Sequence, residues 1–211
     1  MAAAAIRRSR ERRDRECAAL TPLFKSLLAV LAGTALGLAA TYYILGAGMR
    51  FDEVKAGPWT RWSKSGAMDI DPYAHAMLAR SGEMPLGSAE GSSFFAWTDN
   101  AGAALRGRCD YVLSGSVPST RYWTLSLYSP TGAIIDNLDK RFGFTSAEIL
   151  RAADGSFEIT ISREARPGNW LQVGNVAHFA LVLRLYDTLV DFGLSNTAPK
   201  ALPQIVKGHC A

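Results

Sequence analysis

No charged side chain occurs between Ser26 and Met49, and arginines crowd the residues just before that stretch. A helix of about 24 residues, rising ~1.5 Å per residue, reaches roughly 36 Å and crosses a hydrocarbon layer of ~30 Å with some tilt. The stretch reads as one transmembrane helix, and this divides the chain into a basic tail (1–25), the span (26–49), a linker (50–68) and a domain (69–211). Arg7, Arg8, Arg10, Arg12, Arg13, Arg15 and Lys25 precede the span, whereas only Arg50 and Lys55, beside Asp52 and Glu53, follow it closely. Cytoplasmic flanks retain Lys and Arg. The N-terminus is therefore expected inside and everything from Arg50 to Ala211 outside, which in a bacterium means a single-pass inner-membrane protein with a periplasmic domain. A cleaved signal peptide is the competing reading, given Gly46, Ala47 and Gly48 at the end of the apolar run. Its apolar core would normally be ~7–15 residues, so the length favours an uncleaved anchor.

The formal net charge of +4 belongs to the tail. Residues 1–25 hold seven basic and three acidic groups, leaving 16 of the 23 basic and 16 of the 19 acidic residues for the rest. A neutral domain lacks the electrostatic footprint of a polyanion binder, so no nucleic-acid partner is expected, while a basic tail beside a span suits anionic lipid. Within the span Gly33 and Gly37 form a G-x-x-x-G, with Ala29 at the same spacing. Small residues so placed let two helices approach closely, which makes a helix-mediated homodimer one expectation; glycine is also simply common in membrane helices. Tyr42 and Tyr43 suit the aromatic belt at the outer boundary.

The exported part, about 160 residues, is enough for one domain with a substantial core. Lys55 to Met68, rich in Gly, Ser and Trp, reads as a linker. Asp71 to Gly82 reads as a short helix, with Asp71 as N-cap, Pro72 at the first helical position, Arg80 in the last turn and Gly82 as the stop. From Ser93 onward the apolar period becomes two. Strands are expected at Ser93–Thr98, Cys109–Ser114, Arg121–Tyr128, Phe157–Ile161 and His178–Tyr186, separated by Gly, Pro, Asn and Asp. The fold expected is a mainly β antiparallel sandwich with one or two short helices.

Alternation also sorts the strand faces. Trp123, Leu125 and Leu127 share the core face of one strand, with Tyr122, Thr124, Ser126 and Tyr128 opposite. Phe179, Leu181, Leu183 and Leu185 share another, with Ala180, Val182, Arg184 and Tyr186 opposite. Phe157, Ile159 and Ile161 alternate with Glu158 and Thr160. The second faces are where a ligand could touch.

Several stretches, in their order and spacing, resemble the domain of unknown function 1214 family of bacterial proteins. They are Asp71-Pro72-Tyr73, Pro85-Leu86-Gly87 with Glu90, Arg121-Tyr122-Trp123-Thr124-Leu125, Asp154-Gly155-Ser156-Phe157, Gly168-Asn169-Trp170-Leu171, Leu183-Arg184-Leu185-Tyr186, and Leu202-Pro203 before Cys210. The resemblance covers roughly Asp69 to Cys210 and implies a compact antiparallel domain of jelly-roll type. It implies no catalytic residues. Many members also carry a second domain upstream, where this chain has its apolar helix.

Cys109 and Cys210 both fall on the exported side, and Cys17 falls inside, out of their reach. Pairing them would close a loop of about 100 residues and contribute on the order of 4 kcal/mol; two free thiols are the alternative. No Cys or His stands at metal-ligand spacing, so neither metal nor cofactor is expected. There is no G-x-S-x-G, H-E-x-x-H or phosphate-binding glycine loop, and only three histidines occur, His75, His178 and His209, none placed as a base. Among carboxylates, Glu90, Asp110, Asp136 and Glu158 are the candidates for acid and base work. A binding surface is better supported. Tyr122, Tyr128, Glu158, Trp170, Arg184 and Tyr186 point away from the core and combine aromatic faces with charge, the mixture that stacks on sugars or aryl groups and grips a carboxylate. The same residues could instead lie under a second packed layer, in which case Arg184 needs a partner such as Glu158 or Glu90. The functional reading is a ligand-binding or scaffold module of the cell envelope. The alternatives are an envelope hydrolase using carboxylates in a sandwich cleft, and a structural subunit of a membrane complex.

Overall fold

A computed structural model describes residues 2–47, 53–62, 65–81, 85–87, 89–188 and 202–210. Met49, Arg50 and Gly82, each named above as a boundary, lie outside them. The chain divides into two compact units, Met1–Met49 and Arg50–Ala211. The first is one helix, α1 (Ala2–Ala47). Its stretch Pro22–Gly46 is long and apolar enough to cross a membrane. Three hydroxyls in it donate back one turn, Ser26 Oγ to Pro22 O (2.9 Å), Thr34 Oγ1 to Val30 O (2.8 Å) and Thr41 Oγ1 to Gly37 O (2.9 Å), so that none needs a partner outside the helix.

In the second unit the expected helix is α2 (Pro72–Ser81). The Asp71 carboxylate accepts from the backbone N–H of Tyr73 (2.9 Å) and Ala74 (3.0 Å), satisfying donors that a helix start leaves free. Among the described residues ten strands follow in chain order: β1 (Glu53–Ala56), β2 (Trp59–Trp62), β3 (Gly91–Ala96), β4 (Cys109–Gly115), β5 (Thr120–Tyr128), β6 (Gly143–Thr145), β7 (Phe157–Ser162), β8 (Trp170–Gln172), β9 (Ala180–Thr188) and β10 (Gln204–Cys210). They make a six-stranded sheet, β1-β2-β3-β9-β5-β6, and a four-stranded sheet, β10-β4-β7-β8. Pairing is antiparallel except between β7 and β8, which run parallel.

The core lies between the sheets. Trp123, Leu125 and Leu127 of β5 and Leu181, Leu183 and Leu185 of β9 face Tyr111 and Leu113 of β4 and Phe157, Ile159 and Ile161 of β7, all at most 4% exposed. Each such side chain removed from water contributes roughly 1.5–3 kcal/mol before entropy is charged against it. Two aromatic contacts bridge the layers: Trp123 stacks on Phe157 with centroids 4.9 Å apart, and Tyr111 meets Phe179 edge-on at 5.7 Å. Burial raises the Tyr111 hydroxyl above the ordinary tyrosine range, while it accepts the Arg106 N–H at 2.9 Å.

Four segments differ from the sequence expectation. Glu53–Trp62, expected as linker, is a hairpin that extends the larger sheet through β3. Its turn is made by Gly57 at φ 61°, and Trp59 is fully buried, its Nε1–H donating to Pro203 O at 2.7 Å. β6 and β8 fill sheet edges with three residues each. The polar C-terminal segment is a strand, because β4 pairs with it from Gln204↔Ser114 to Lys207↔Tyr111 and Cys210 is disulfide-bonded to Cys109. Its outer edge is capped at Ile205, whose N–H donates to Asn100 Oδ1 (2.6 Å) and whose carbonyl accepts from Asn100 N–H (3.0 Å).

Candidate functional site

β5 and β9 are neighbours in the larger sheet, so the residues they turn away from the core share one outer face. Tyr122 stands opposite Tyr186, and Arg184 is flanked by Thr124 of β5 and Ser93 of β3. The Tyr122 and Tyr186 rings lie 5.9 Å apart at 48°, and Tyr122 is exposed. Arg184 is half-buried. Its Nη1 donates to the Tyr128 hydroxyl at 3.1 Å and its guanidinium sits 5.4 Å from the centre of that ring. Neither Glu158 nor Glu90 partners Arg184, contrary to the expectation for a covered arginine. Among the described residues no carboxylate pairs with it, and the contacts that meet the charge there are a phenol and a π face. Farther along the same face Ala180 and Val182 are buried, 0% and 2% exposed, though neither belongs to the core between the sheets. The open part of the face is thus the end around Tyr122 and Tyr186, and the Arg184 side chain reaches from beside it toward Tyr128, which stands opposite Ala180.

Glu158 and Trp170 lie elsewhere. They belong to β7 and β8 of the smaller sheet, Glu158 opposite Ser114 and Trp170 opposite Thr160, and Trp170 Nε1–H donates to Ser162 Oγ at 3.0 Å. Four of the six candidate side chains therefore share one outer face, as the pairs Arg184–Tyr128 and Tyr122–Tyr186, and two lie elsewhere. The carboxylates are also dispersed. Asp110 pairs with Arg166 at 2.8 Å, Asp136 with Lys140, and Glu90 is exposed at the start of β3. Glu158 faces a residue four positions along β4 from Asp110, roughly 13 Å away at ~3.4 Å per residue, beyond the ~5–9.5 Å at which paired carboxylates cleave glycosides. His75, His178 and His209 are exposed.

A cleft of about 530 Å³ opens where the loop after β5 meets the segment after β8. Asn137 closes that loop on itself, its Nδ2 donating to Arg141 O (2.8 Å) and its Oδ1 accepting from Arg141 N–H (3.1 Å). Gln172 ties it to β8, its Oε1 accepting from Leu138 N–H (3.0 Å) and Asp139 N–H (3.4 Å). Lys140, inside the closed loop, has φ 53°, a left-handed conformation that costs a non-glycine residue roughly 1–3 kcal/mol. Its Nζ reaches both Asp136 oxygens, at 2.8 and 2.9 Å, and that hydrogen bond holds the Asp136 carboxyl below the usual carboxylate range. Gly174 is required opposite, because a Cβ there would stand 2.2 Å from Asp136 O. Arg163 and Leu138 line the same space. Sequence reading singled out only Asp136 of this group. Asp136-Asn137-Leu138-Asp139-Lys140 is recognisable as a turn, but its docking on Gln172, more than 30 residues on, leaves no local signal.

The chain is thus a two-sheet β domain joined to a helix long and apolar enough to cross a membrane, with polar sites on its outer surfaces. Residues 90–190 match the model of the family described as "Protein of unknown function (DUF1214)", and that segment belongs to this family. No curated protein matches the sequence. Among solved structures, the VPA0106 protein from Vibrio parahaemolyticus is 20% identical with a TM-score of 0.58 over 84% of this chain and 44% of its own, so it shares the fold and is more than twice the matched length. An uncharacterized protein from Burkholderia cenocepacia is 19% identical, with a TM-score of 0.42 over 82% of this chain and 41% of its own.

Proposed function

We propose that the protein is a bacterial inner-membrane protein, anchored by α1 with its N-terminus in the cytoplasm, whose periplasmic β domain binds a small ligand on the face around Arg184. One observation carries the reading: a half-buried guanidinium that bonds the Tyr128 hydroxyl, without a carboxylate partner among the described residues, on the face that also carries the Tyr122–Tyr186 pair. Such a group is left under-compensated in the free protein and gains on meeting an anion, while the rings offer stacking area to a sugar or aryl body. The disulfide supports an oxidising compartment, and the arginine-rich tail supports the orientation. Gly33 and Gly37, at G-x-x-x-G spacing in the helix, support a helix-mediated homodimer.

The test is a thermal-shift screen of the full chain in detergent micelles against aryl carboxylates, uronic acids and neutral saccharides. A ligand at 100 times its dissociation constant adds ~2.7 kcal/mol. The expected result is a shift from acidic compounds that Arg184→Gln abolishes, Tyr128→Phe reduces and Trp170→Ala, on the other sheet, leaves unchanged. Equal shifts in wild type and Arg184→Gln, or silence from every acidic compound, would defeat the reading.

A further inference from the structure

We infer that the cleft between the Asp136–Arg141 loop and the Gln172–Asn175 segment is a second binding site, for a small aliphatic carboxylate. The site is shaped in advance. Asn137 and Gln172 fix the loop, Lys140 holds a left-handed conformation within it, and Gly174 admits the loop carbonyl where any side chain would collide. A volume of about 530 Å³ lies within the ~300–1,000 Å³ of small-molecule sites.

Charge selects the class of ligand. Lys140 and Asp136 neutralise one another through two bonds, which leaves the exposed Arg163 guanidinium as the charge of the lining without an ion pair. Among the described residues it meets no carboxylate, and its contact is a long bond of 3.4 Å to Val176 O. One positive charge matches a monoanion, and a phosphomonoester would bring nearly two negative charges against it. Arg163 can hold a carboxylate by two parallel bonds. The lining lacks an aromatic ring, whereas Leu138 borders the cleft and is 91% exposed. An aliphatic chain covering that leucine would remove apolar surface from water, at ~25 cal/mol per Å². The Arg184 face offers rings instead, so the two sites differ in the body they accept.

The experiment is isothermal titration of the full chain in lipid nanodiscs with hexanoate, acetate and hexanamide. Hexanoate is expected to bind, acetate and hexanamide each at least ~tenfold more weakly. Arg163→Gln should weaken hexanoate ~tenfold or more and Arg163→Lys less, while Leu138→Ser should narrow the gap between hexanoate and acetate. Arg184→Gln should change nothing, which separates this site from the tyrosine-lined face. Hexanamide binding as tightly as hexanoate, indifference to Arg163→Gln, or no heat from hexanoate would each overturn the inference.

Discussion

Reducing the Cys109–Cys210 bond should destabilise the domain without dismantling it. The two cysteines are 101 residues apart in sequence. In the chain-entropy account a crosslink over a loop of ~100 residues lowers the entropy of the unfolded chain by about 16 cal/mol/K, or ~4.7 kcal/mol at 25 °C. Residual compactness of the unfolded chain lowers this, and about 3–5 kcal/mol is the range expected. β10 keeps other ties: four register pairs with β4, the reciprocal Asn100–Ile205 bonds, and the Trp59 indole on Pro203 O. What reduction frees is the stretch from Gly208 to Cys210, beyond the register shift that follows Lys207. The assay is urea unfolding of oxidised and reduced protein in a Cys17→Ser background, followed by tryptophan fluorescence. With an m-value of ~2 kcal/mol/M, the reduced midpoint should fall by about 2 M, with an unchanged folded baseline. Amide exchange at Gln204–Lys207 should still report global unfolding in the reduced protein. A midpoint change under ~0.5 M would show that the crosslink does not constrain the unfolded chain. Loss of the folded baseline on reduction would show instead that the β10 contacts cannot hold the strand alone.

Asn169 donates to Leu150 O (2.9 Å) and Glu158 O (2.8 Å) and accepts from Leu150 N–H (2.8 Å) while only 9% exposed; Asn169→Ala should therefore cost about 3 kcal/mol in urea unfolding, and a loss under ~1 kcal/mol would mean water replaces the side chain. Lys140 lowers the folded pKa of Asp136, so this pair's contribution is present above the ordinary carboxylate value and fades as pH falls through the lowered one. Carboxyl-carbon NMR should place the Asp136 midpoint below that of a free aspartate, and Lys140→Met should return it to the ordinary range; no response to Lys140→Met would break the assignment.

What could be read from residues alone follows from which forces are local. β5 was legible because one face is core and the other is polar, so Trp123, Leu125 and Leu127 alternate cleanly with Tyr122, Thr124 and Ser126. β9 obeys the same alternation, yet Ala180 and Val182 on its outward side are buried too, and a strand apolar on both faces gives no warning of which side remains open. β6 and β8 are too short for a period of two to register, and the β1–β2 hairpin is hidden by Gly57-Pro58, which reads as linker until Trp59 is seen buried against the chain's far end. The site divides along the same line. Tyr122, Tyr128, Arg184 and Tyr186 assemble because alternation places each on an outward position and β5 happens to pair with β9. Glu158 satisfies alternation equally well and still ends on the other sheet, because period-two logic assigns a face and never a neighbour, and Trp170 ends there too, on a strand too short to show a period. The cleft needs more again, a glutamine on one strand reaching the backbone of a distant turn. Pairing between strands is therefore the missing information, and for a domain of this kind it decides which outward residues can meet one ligand.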